Sequence, residues 1–388
     1  MTTPAPYDPL PLIPERFHRD AGHPLPVSDN ERRVLGAAWD SRGLTRSALS
    51  HRLDLTQQSI HRLIEQLCER GMLRLGALEP PVYKGKPSPR LDLSPDHACT
   101  YGISINTDTA GLAVMDFAGG VTTRMLEIDG IPMEPALDTI ARTLEEMREE
   151  AGFPRDRVFG IGFAISGFLV EGTRYNAPEP LTGWSERQMG PYLAARFGLP
   201  VWTENGANTG ALCERMLGIG REVEDFAYLS FNYGFGGGII TGGNLLRGGF
   251  GNAGELSGMF TPQEAASRPA LRYLLDRLQA NGIEVRTINE LSQRFDMNWP
   301  GVADWLDTVA PYHSRVVNVL SATVDPQVIV LGGQIPPALA EALIERTEFW
   351  QVPRHGVNRR IPDLRVSAIR GETSAIGAAS LPLKNGFF

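Results

Sequence analysis

The segment Glu-Asn-Gly-Ala-Asn at residues 204–208 decides the fold assignment, together with Gly-Glu-Leu-Ser-Gly at residues 254–258. Three further segments follow the same order along the chain: Gly-Phe-Gly-Gly-Gly at 234–238, Leu-Gly-Gly at 331–333 and Ala-Ile-Gly-Ala-Ala at 375–379. Each segment alone is a weak signal. Their order and spacing on one chain make a strong pattern. The prolines at 80, 81, 87 and 89 and the segment Ser-Pro-Asp at 94–96 indicate that the main body begins near residue 95.

The regions between these segments alternate between strands and helices. The apolar run at 158–165 predicts a buried strand, and a helical stripe that includes Leu137, Ile140 and Leu144 predicts an amphipathic helix before it. Further strands are expected at residues 101–105, 112–116, 226–231, 237–241 and 328–331. This alternation indicates α/β layers built on mixed sheets.

In these motifs the chain resembles the ROK family of repressors, open reading frames and kinases. Residues 204–208 are similar to the family's Glu-Asn-Asp-Ala-Asn segment, and residues 254–258 are similar to its Gly-Glu-Ile-Gly-His segment. The resemblance begins at about Leu44 and covers nearly everything after it. It implies an α/β domain with the two-lobed, actin-like and ribonuclease H-like fold, preceded by a winged helix-turn-helix.

Three departures from the family pattern bear on catalysis. In the family's kinases the aspartate of Asn-Asp-Ala is the general base for the sugar hydroxyl, and Gly206 stands there without a side chain that accepts a proton. The glycine-rich phosphate loop is replaced by Ser-Ile-Asn-Thr-Asp-Thr at 104–109, where Asp108 is expected to repel a nucleotide. Asn-Tyr-Gly at 232–234 replaces the second phosphate loop. We therefore expect no ATP cofactor and no enzymatic activity.

The zinc element of the family is also missing. Members with zinc carry a histidine after Gly-Glu-Ile-Gly and then a cysteine-rich run, whereas this chain has Gly258 followed by Met-Phe-Thr-Pro at 259–262. No tetrahedral site can be assembled from these residues, so no metal is expected. Cys68, Cys99 and Cys213 are far apart, and we expect them to be small buried or half-buried residues.

Polar residues at the family's sugar-contacting positions predict an effector site. Asn205 and Glu255 suit hydroxyl recognition, although Asn205 could instead be a helix N-cap and Glu255 a structural hydrogen-bond acceptor. Trp184 could stack on a sugar or pack in the core. Glycine at 206 and 258 leaves extra volume, which predicts a bulkier polyol or glycoside than a free hexose, or a loss of ligand binding. The residues expected to bind a carbohydrate-like effector are Ser166, Gly167, Asn176, Trp184, Asn205, Asn208 and Glu255.

The segment before the body predicts a helix-turn-helix. Apolar residues at helical spacing indicate three helices within residues 30–70, and Thr45 and Thr56 are the expected N-caps of the second and third. Residues 72–75 and 83–90, separated by a proline-rich turn, form the expected wing.

The outward positions of the third helix and the basic residues of the wing are typical of DNA contacts. Amide, hydroxyl and guanidinium groups recognise base edges in the major groove, and basic wing residues touch phosphates or a minor groove. The residues expected to contact DNA are Arg46, Gln57, Gln58, Ser59, His61, Arg62, Lys84, Lys86 and Arg90. The alternative is a three-helix protein-interaction module with a polar surface.

Charge is distributed unevenly along the chain. The formal net charge of −8 divides into −2 for residues 1–29, +5 for 30–90 and −11 for 91–388. A basic island on an acidic body is expected when a small head binds nucleic acid, and the alternative is a solvated basic surface. Neither a secretory signal nor a long apolar run is evident, so we expect a cytoplasmic protein without membrane contact.

Together these features predict three regions: a proline-rich arm at 1–28, a winged helix-turn-helix at 29–95 and a ROK domain at 96–388. The arm is expected either to be disordered or to pack on a neighbour. The expected function is a transcriptional repressor of carbohydrate-related genes, which binds an inverted-repeat operator in double-stranded DNA as a homodimer or homotetramer and senses a carbohydrate-like effector. The alternatives are a regulator controlled by a protein partner and an active sugar kinase with a fused head.

Overall fold

The computed structural model describes residues 7–19, 25–41, 44–79, 88–369 and 371–388. The helices in these ranges are α1 (Asp29–Asp40), α2 (Arg46–Leu53), α3 (Gln57–Glu69), α4 (Met133–Glu150), α5 (Met189–Phe197), α6 (Gly206–Leu217), α7 (Leu271–Ala280), α8 (Ile288–Arg294), α9 (Val302–Thr323), α10 (Pro337–Glu345) and α11 (Thr373–Gly386). The strands are β1 (Leu73–Glu79), β2 (Ser88–Leu93), β3 (Cys99–Ile105), β4 (Thr109–Asp116), β5 (Val121–Glu127), β6 (Val158–Ile165), β7 (Phe168–Glu171), β8 (Arg174–Asn176), β9 (Val201–Asn205), β10 (Phe226–Phe231), β11 (Phe235–Thr241), β12 (Asn244–Leu245), β13 (Val328–Gly333) and β14 (Asp363–Val366).

Two five-stranded mixed sheets form the body, one in each lobe. The first has the strand order β5-β4-β3-β6-β9 and the second the order β12-β11-β10-β13-β14. In each sheet the first three strands along the chain are antiparallel neighbours, and the remaining two run parallel to the first of them. The same topology therefore occurs twice, and the prediction of a two-lobed α/β body is confirmed.

Helix α11 packs closely against the first sheet and against α6. A Cβ atom added to Gly162 in β6 would lie 1.7 Å from the carbonyl oxygen of Ala378, and one added to Gly377 would lie 1.8 Å from that of Thr209. Only glycine allows these backbones to approach so closely. The approach fixes the position of α11, which lies between the first sheet and α6.

Three helices and an antiparallel strand pair precede the body. Thr45 and Thr56 accept hydrogen bonds from the backbone N–H groups of Ala48 and Ser59, which confirms both predicted N-caps. Strands β1 and β2 pair in the segment where the sequence predicts a wing. The turn between them, with Lys84 and Lys86, lies outside the described residues.

The described part of the proline-rich arm packs on its neighbours, which is the second of the two expected outcomes. Ile13 and Phe17 are buried in the cluster that joins the head to the first lobe. The Tyr7 hydroxyl accepts a hydrogen bond from the backbone N–H of Val201 at 3.1 Å. Over these residues the arm is therefore part of the folded core and not a separate region.

The head is joined to the body by an aromatic contact and by Arg32. The ring of Trp39 in α1 stacks on that of Phe388 with 4.5 Å between centroids. The Arg32 guanidinium of α1 donates hydrogen bonds to four backbone carbonyls within residues 384–388, at the C-terminal end of α11. A cation is favourable at this end of a helix because the carbonyls there carry partial negative charge.

None of the helices within the described ranges has both the length and the apolar character needed to cross a membrane.

Candidate functional site

A cavity of about 250 Å³ opens between the two lobes. This volume lies near the lower end of the range for small-molecule sites and suits a ligand of monosaccharide size. The first lobe contributes the ends of β3 and β6 and the β7–β8 hairpin, and the second contributes β10, β11 and the start of α7. Five of the seven residues expected at an effector site lie in the wall: Ser166, Gly167, Asn176, Asn205 and Glu255.

Asn205 lies in the wall and is the N-cap of α6, so the interpretation of this residue as a helix N-cap is confirmed. Its Oδ1 accepts a hydrogen bond from the backbone N–H of Ala207 at 2.7 Å. Its Nδ2 donates to the carbonyl of Gly167 at 2.8 Å and to Glu255 Oε1 at 3.3 Å. Asn205 thus connects the end of β6 with the loop that carries Glu255, and any ligand that displaces one of these contacts acts on α6.

The Glu255 carboxyl can accept a hydrogen bond from a ligand hydroxyl. The one hydrogen-bond partner of this side chain among the described residues is Asn205. Burial raises the pKa of the Glu255 carboxyl above its usual value. A half-buried carboxyl with spare acceptor capacity suits the hydroxyl groups of a polyol.

Two residues expected in the cavity lie elsewhere, and their placement in the sequence prediction is wrong. Asn208 is 2% exposed, and its Nδ2 donates to Glu204 Oε1 at 2.9 Å, because α6 turns this side chain toward β9. Trp184 is buried, and its ring stacks on Phe163 with an interplanar angle of 19°. Core packing is therefore the correct interpretation of Trp184.

The position of the expected catalytic base has room for a side chain. The atoms nearest to a Cβ built on Gly206 are the carbonyl carbon and oxygen of Ile165, both 3.9 Å away, which is ordinary van der Waals contact. Glu255 carries the one carboxylate among the described residues that line the cavity. The cavity retains polar groups for a ligand but not the base at position 206.

Asp108 does not act as the sequence predicts. It is 5% exposed and absent from the cavity wall, and its Oδ2 accepts a hydrogen bond from the backbone N–H of Asn289 in α8 at 2.8 Å. The expected repulsion of a nucleotide by Asp108 is therefore wrong. The replaced phosphate loop instead connects the two lobes through this hydrogen bond.

Glu372 lies beside Asp108 at the start of α11. Burial, and after it the charge of Asp108, raise the pKa of the Glu372 carboxyl to about 7. An unperturbed glutamate titrates at about 4.3. Because the folded state holds this proton more tightly, the contribution of Glu372 to stability is complete below that value and is lost as the pH rises toward 7.

Replacing Glu372 by glutamine, which mimics the protonated acid, is expected to stabilise the protein at pH 8 more than at pH 5. The difference should be about 1 to 2 kcal/mol after allowance for solvent screening, measured by thermal unfolding at both pH values. Glu341→Gln on the exposed side of α10 is the control, with equal effects at both pH values. A Glu372→Gln protein with the pH dependence of the wild type would contradict the assignment.

The sequence did not indicate most of the second-lobe residues of the cavity. Arg268, Arg272 and Gln334 line it, together with Tyr233 and with Asn106 of the replaced phosphate loop. The two arginines follow a proline-containing segment that matches no catalytic motif, so only the folded arrangement brings them to the site.

The outward face of α3 carries the residues expected to contact DNA. Five of them, Gln57, Gln58, Ser59, His61 and Arg62, are exposed. Arg46 and His61 meet at 3.1 Å, and His61 also lies 3.1 Å from Glu65. Arg90 on β2 pairs with Asp92 at 2.8 Å, which offsets part of its charge.

Comparisons with known proteins agree with the fold. Residues 100–385 match the model of the ROK family. The xylose repressor of Caldicellulosiruptor bescii is 26% identical over 287 residues, which cover 69% of this chain and 71% of that protein. The ROK hexokinase of Thermus thermophilus is 26% identical with a TM-score of 0.56, over 74% of this chain and all of the hexokinase chain.

A third similarity extends into the head. A ROK family transcriptional regulator, described as a homologue of the E. coli MLC protein, has a TM-score of 0.67 at 19% identity and covers 92% of this chain and 96% of its own. That coverage is larger than residues 96–388 alone could supply. The motifs, the repeated lobe topology and the family match lead to one conclusion: the chain belongs to the ROK family.

Proposed function

We propose that this chain is a DNA-binding transcriptional repressor of carbohydrate-related genes, and that its two lobes sense a carbohydrate-like effector without phosphorylating it. The observation that carries the proposal is the cavity itself, which keeps Asn205 and Glu255 in its wall, while Gly206 next to Asn205 has no side chain that accepts a proton. The similarity to a protein named xylose repressor supports the same function.

The head is the proposed operator-binding module. Its three helices and strand pair act as a winged helix-turn-helix. The exposed polar face of α3 enters the major groove of double-stranded DNA. Two such heads in a homo-oligomer would bind an inverted repeat, because two-fold symmetry in the protein matches that of the site. A regulator of this kind works in the cytoplasm.

Helix α6 connects the cavity with the head. Its first turn is capped by Asn205 at the cavity, and Arg215 near its other end pairs with Asp40 at the end of α1 at 3.1 Å. Asp40 also pairs with Arg52 of α2 at 3.5 Å. An effector that favours one position of α6 would therefore change the position of the head. A coupling free energy of about 1 to 3 kcal/mol between the effector site and the head changes operator affinity about 5- to 150-fold.

The competing function is an active sugar kinase, because the chain shares its fold with a hexokinase. We expect purified protein to release no ADP in a sugar-dependent manner, measured with a coupled assay across hexoses, pentoses and glycosides. The missing base alone should lower the rate of transfer by about 10² to 10⁴-fold. Sugar-dependent turnover of roughly 1 s⁻¹ or more, a rate ordinary for enzymes, would contradict the proposal.

A further inference from the structure

We propose that the effector carries an anionic group, a carboxylate or a phosphate, which Arg268 and Arg272 bind in the second-lobe half of the cavity. This inference rests on the sensor function proposed above and names the chemical class of its ligand.

Arg268 and Arg272 line the cavity without a carboxylate partner among the described residues. Arg268 donates from Nε to the carbonyl of Ala265 at 2.9 Å and from Nη2 to the hydroxyl of Tyr273 at 3.2 Å. Arg272 also donates to the Tyr273 hydroxyl. Elsewhere at the lobe interface Arg247 is paired with Glu204 at 3.0 Å, so the two cavity arginines differ from it in having only neutral partners.

The surroundings of these arginines hold them in place for an anion. The Arg272 guanidinium lies over the rings of Tyr273 and Tyr233, with its carbon 4.4 Å and 5.8 Å from their centroids. Its Nε is buried and has no hydrogen-bond partner in the described part of the chain. Two guanidinium groups that share one tyrosine hydroxyl present several unused N–H donors to the same space, which suits an oxyanion.

The positive potential at this point also acts on Tyr273. Burial alone would raise the pKa of its hydroxyl, but the hydrogen bonds and charges of Arg268 and Arg272 outweigh burial and lower it. Glu255 also lines the cavity, and its side chain makes no ion pair with either arginine among the described residues. The cavity therefore holds hydroxyl-binding groups and cations together.

These two sets of residues suit the two parts of an anionic sugar. Its hydroxyl groups would meet Asn205, Glu255 and Asn176, and its anionic group would meet the arginines of the second lobe. One ligand would then contact both lobes, which gives it a preference for the closed state and a means to shift α6.

The test is titration calorimetry of the full chain with matched sugars at constant ionic strength. The probes are glucose, galactose and mannose, the uronic acid of each and the 6-phosphate of each, with inorganic phosphate as the anion alone. We expect at least one anionic member to bind 10-fold or more tightly than its neutral parent. Preference for the uronic acids or for the 6-phosphates identifies the group as carboxylate or phosphate.

Variants separate charge recognition from folding. The double variant Arg268→Gln and Arg272→Gln should reduce the preference for the anionic member to about threefold or less, while Arg272→Lys alone should keep most of it. Arg277→Gln is the matched control, because Arg277 lies on the same helix but donates to Thr308 outside the cavity wall. Asn205→Ala should weaken neutral and anionic sugars alike.

Equal binding of neutral and anionic sugars, or an unchanged preference in the double variant, would overturn the inference. If a neutral sugar binds and changes operator affinity, the inference about the anion fails while the sensor function stands. If no member of the panel binds and none changes operator affinity, both fail.

Discussion

Replacing Gln58 and Arg62 together by alanine will lower the affinity of the full chain for its operator by at least about 30-fold. Both side chains are exposed on the first half of α3 and make no hydrogen bond to another described residue, so they are free to meet DNA. A good base or phosphate contact contributes about 1 to 3 kcal/mol, and two such losses give the expected decrease. Fluorescence anisotropy with a labelled duplex at fixed salt measures it, because salt alone changes such affinities strongly.

Gln66→Ala is the matched control for this experiment. Gln66 is exposed on the same helix but lies in its C-terminal half, away from the proposed groove contact. We expect it to bind the duplex like the wild type. A double variant that retains full affinity would show that α3 is not the recognition helix.

Phe387→Ala will lower the free energy of unfolding by about 3 to 5 kcal/mol. The ring is fully buried and touches Phe17 of the arm, Phe117 directly after β4, Phe159 of β6, and His97 of the connection between head and body. Truncation leaves a cavity at the point where these regions meet, and the cost of such cavities adds to the lost burial of the ring. Chemical denaturation followed by fluorescence measures the change.

Phe250→Ala deletes the same atoms where they are not packed. Phe250 is 90% exposed, so its loss should change stability by no more than about 0.5 kcal/mol. A Phe387→Ala protein that unfolds at the same denaturant concentration as Phe250→Ala would contradict the view that the head, arm and body share one core.

The long apolar strands were predictable because a strand that is buried on both faces has a continuous run of apolar residues. Strands β6 and β10 begin and end at the residues that the sequence predicts. Strands β9 and β14 were not predicted, because they are short and half their residues are polar or partly exposed. The packing of the arm was also not decided by the sequence, since Ile13 and Phe17 are isolated apolar residues without a period.

The candidate site was predictable only where a motif exists. Asn205 and Glu255 lie in recognisable segments, and both are in the wall. Arg268 and Arg272 lie in a segment without a motif, and they reach the cavity because the second lobe folds over the first. Asn208 was misplaced because its closeness to Asn205 in the sequence does not determine where its side chain lies. The side chain contacts Glu204, four residues earlier, and not the cavity.

Operator binding is tested by selecting binding sites for the full chain from a pool of random DNA duplexes. We expect enrichment of an inverted repeat whose half-sites are about one helical turn, roughly 10 base pairs, apart or a multiple of it. The selected duplex also serves the experiments with Gln58, Arg62 and the sugar panel. A pool that shows no sequence enrichment after repeated rounds would contradict the claim that this ROK protein is an operator-binding regulator.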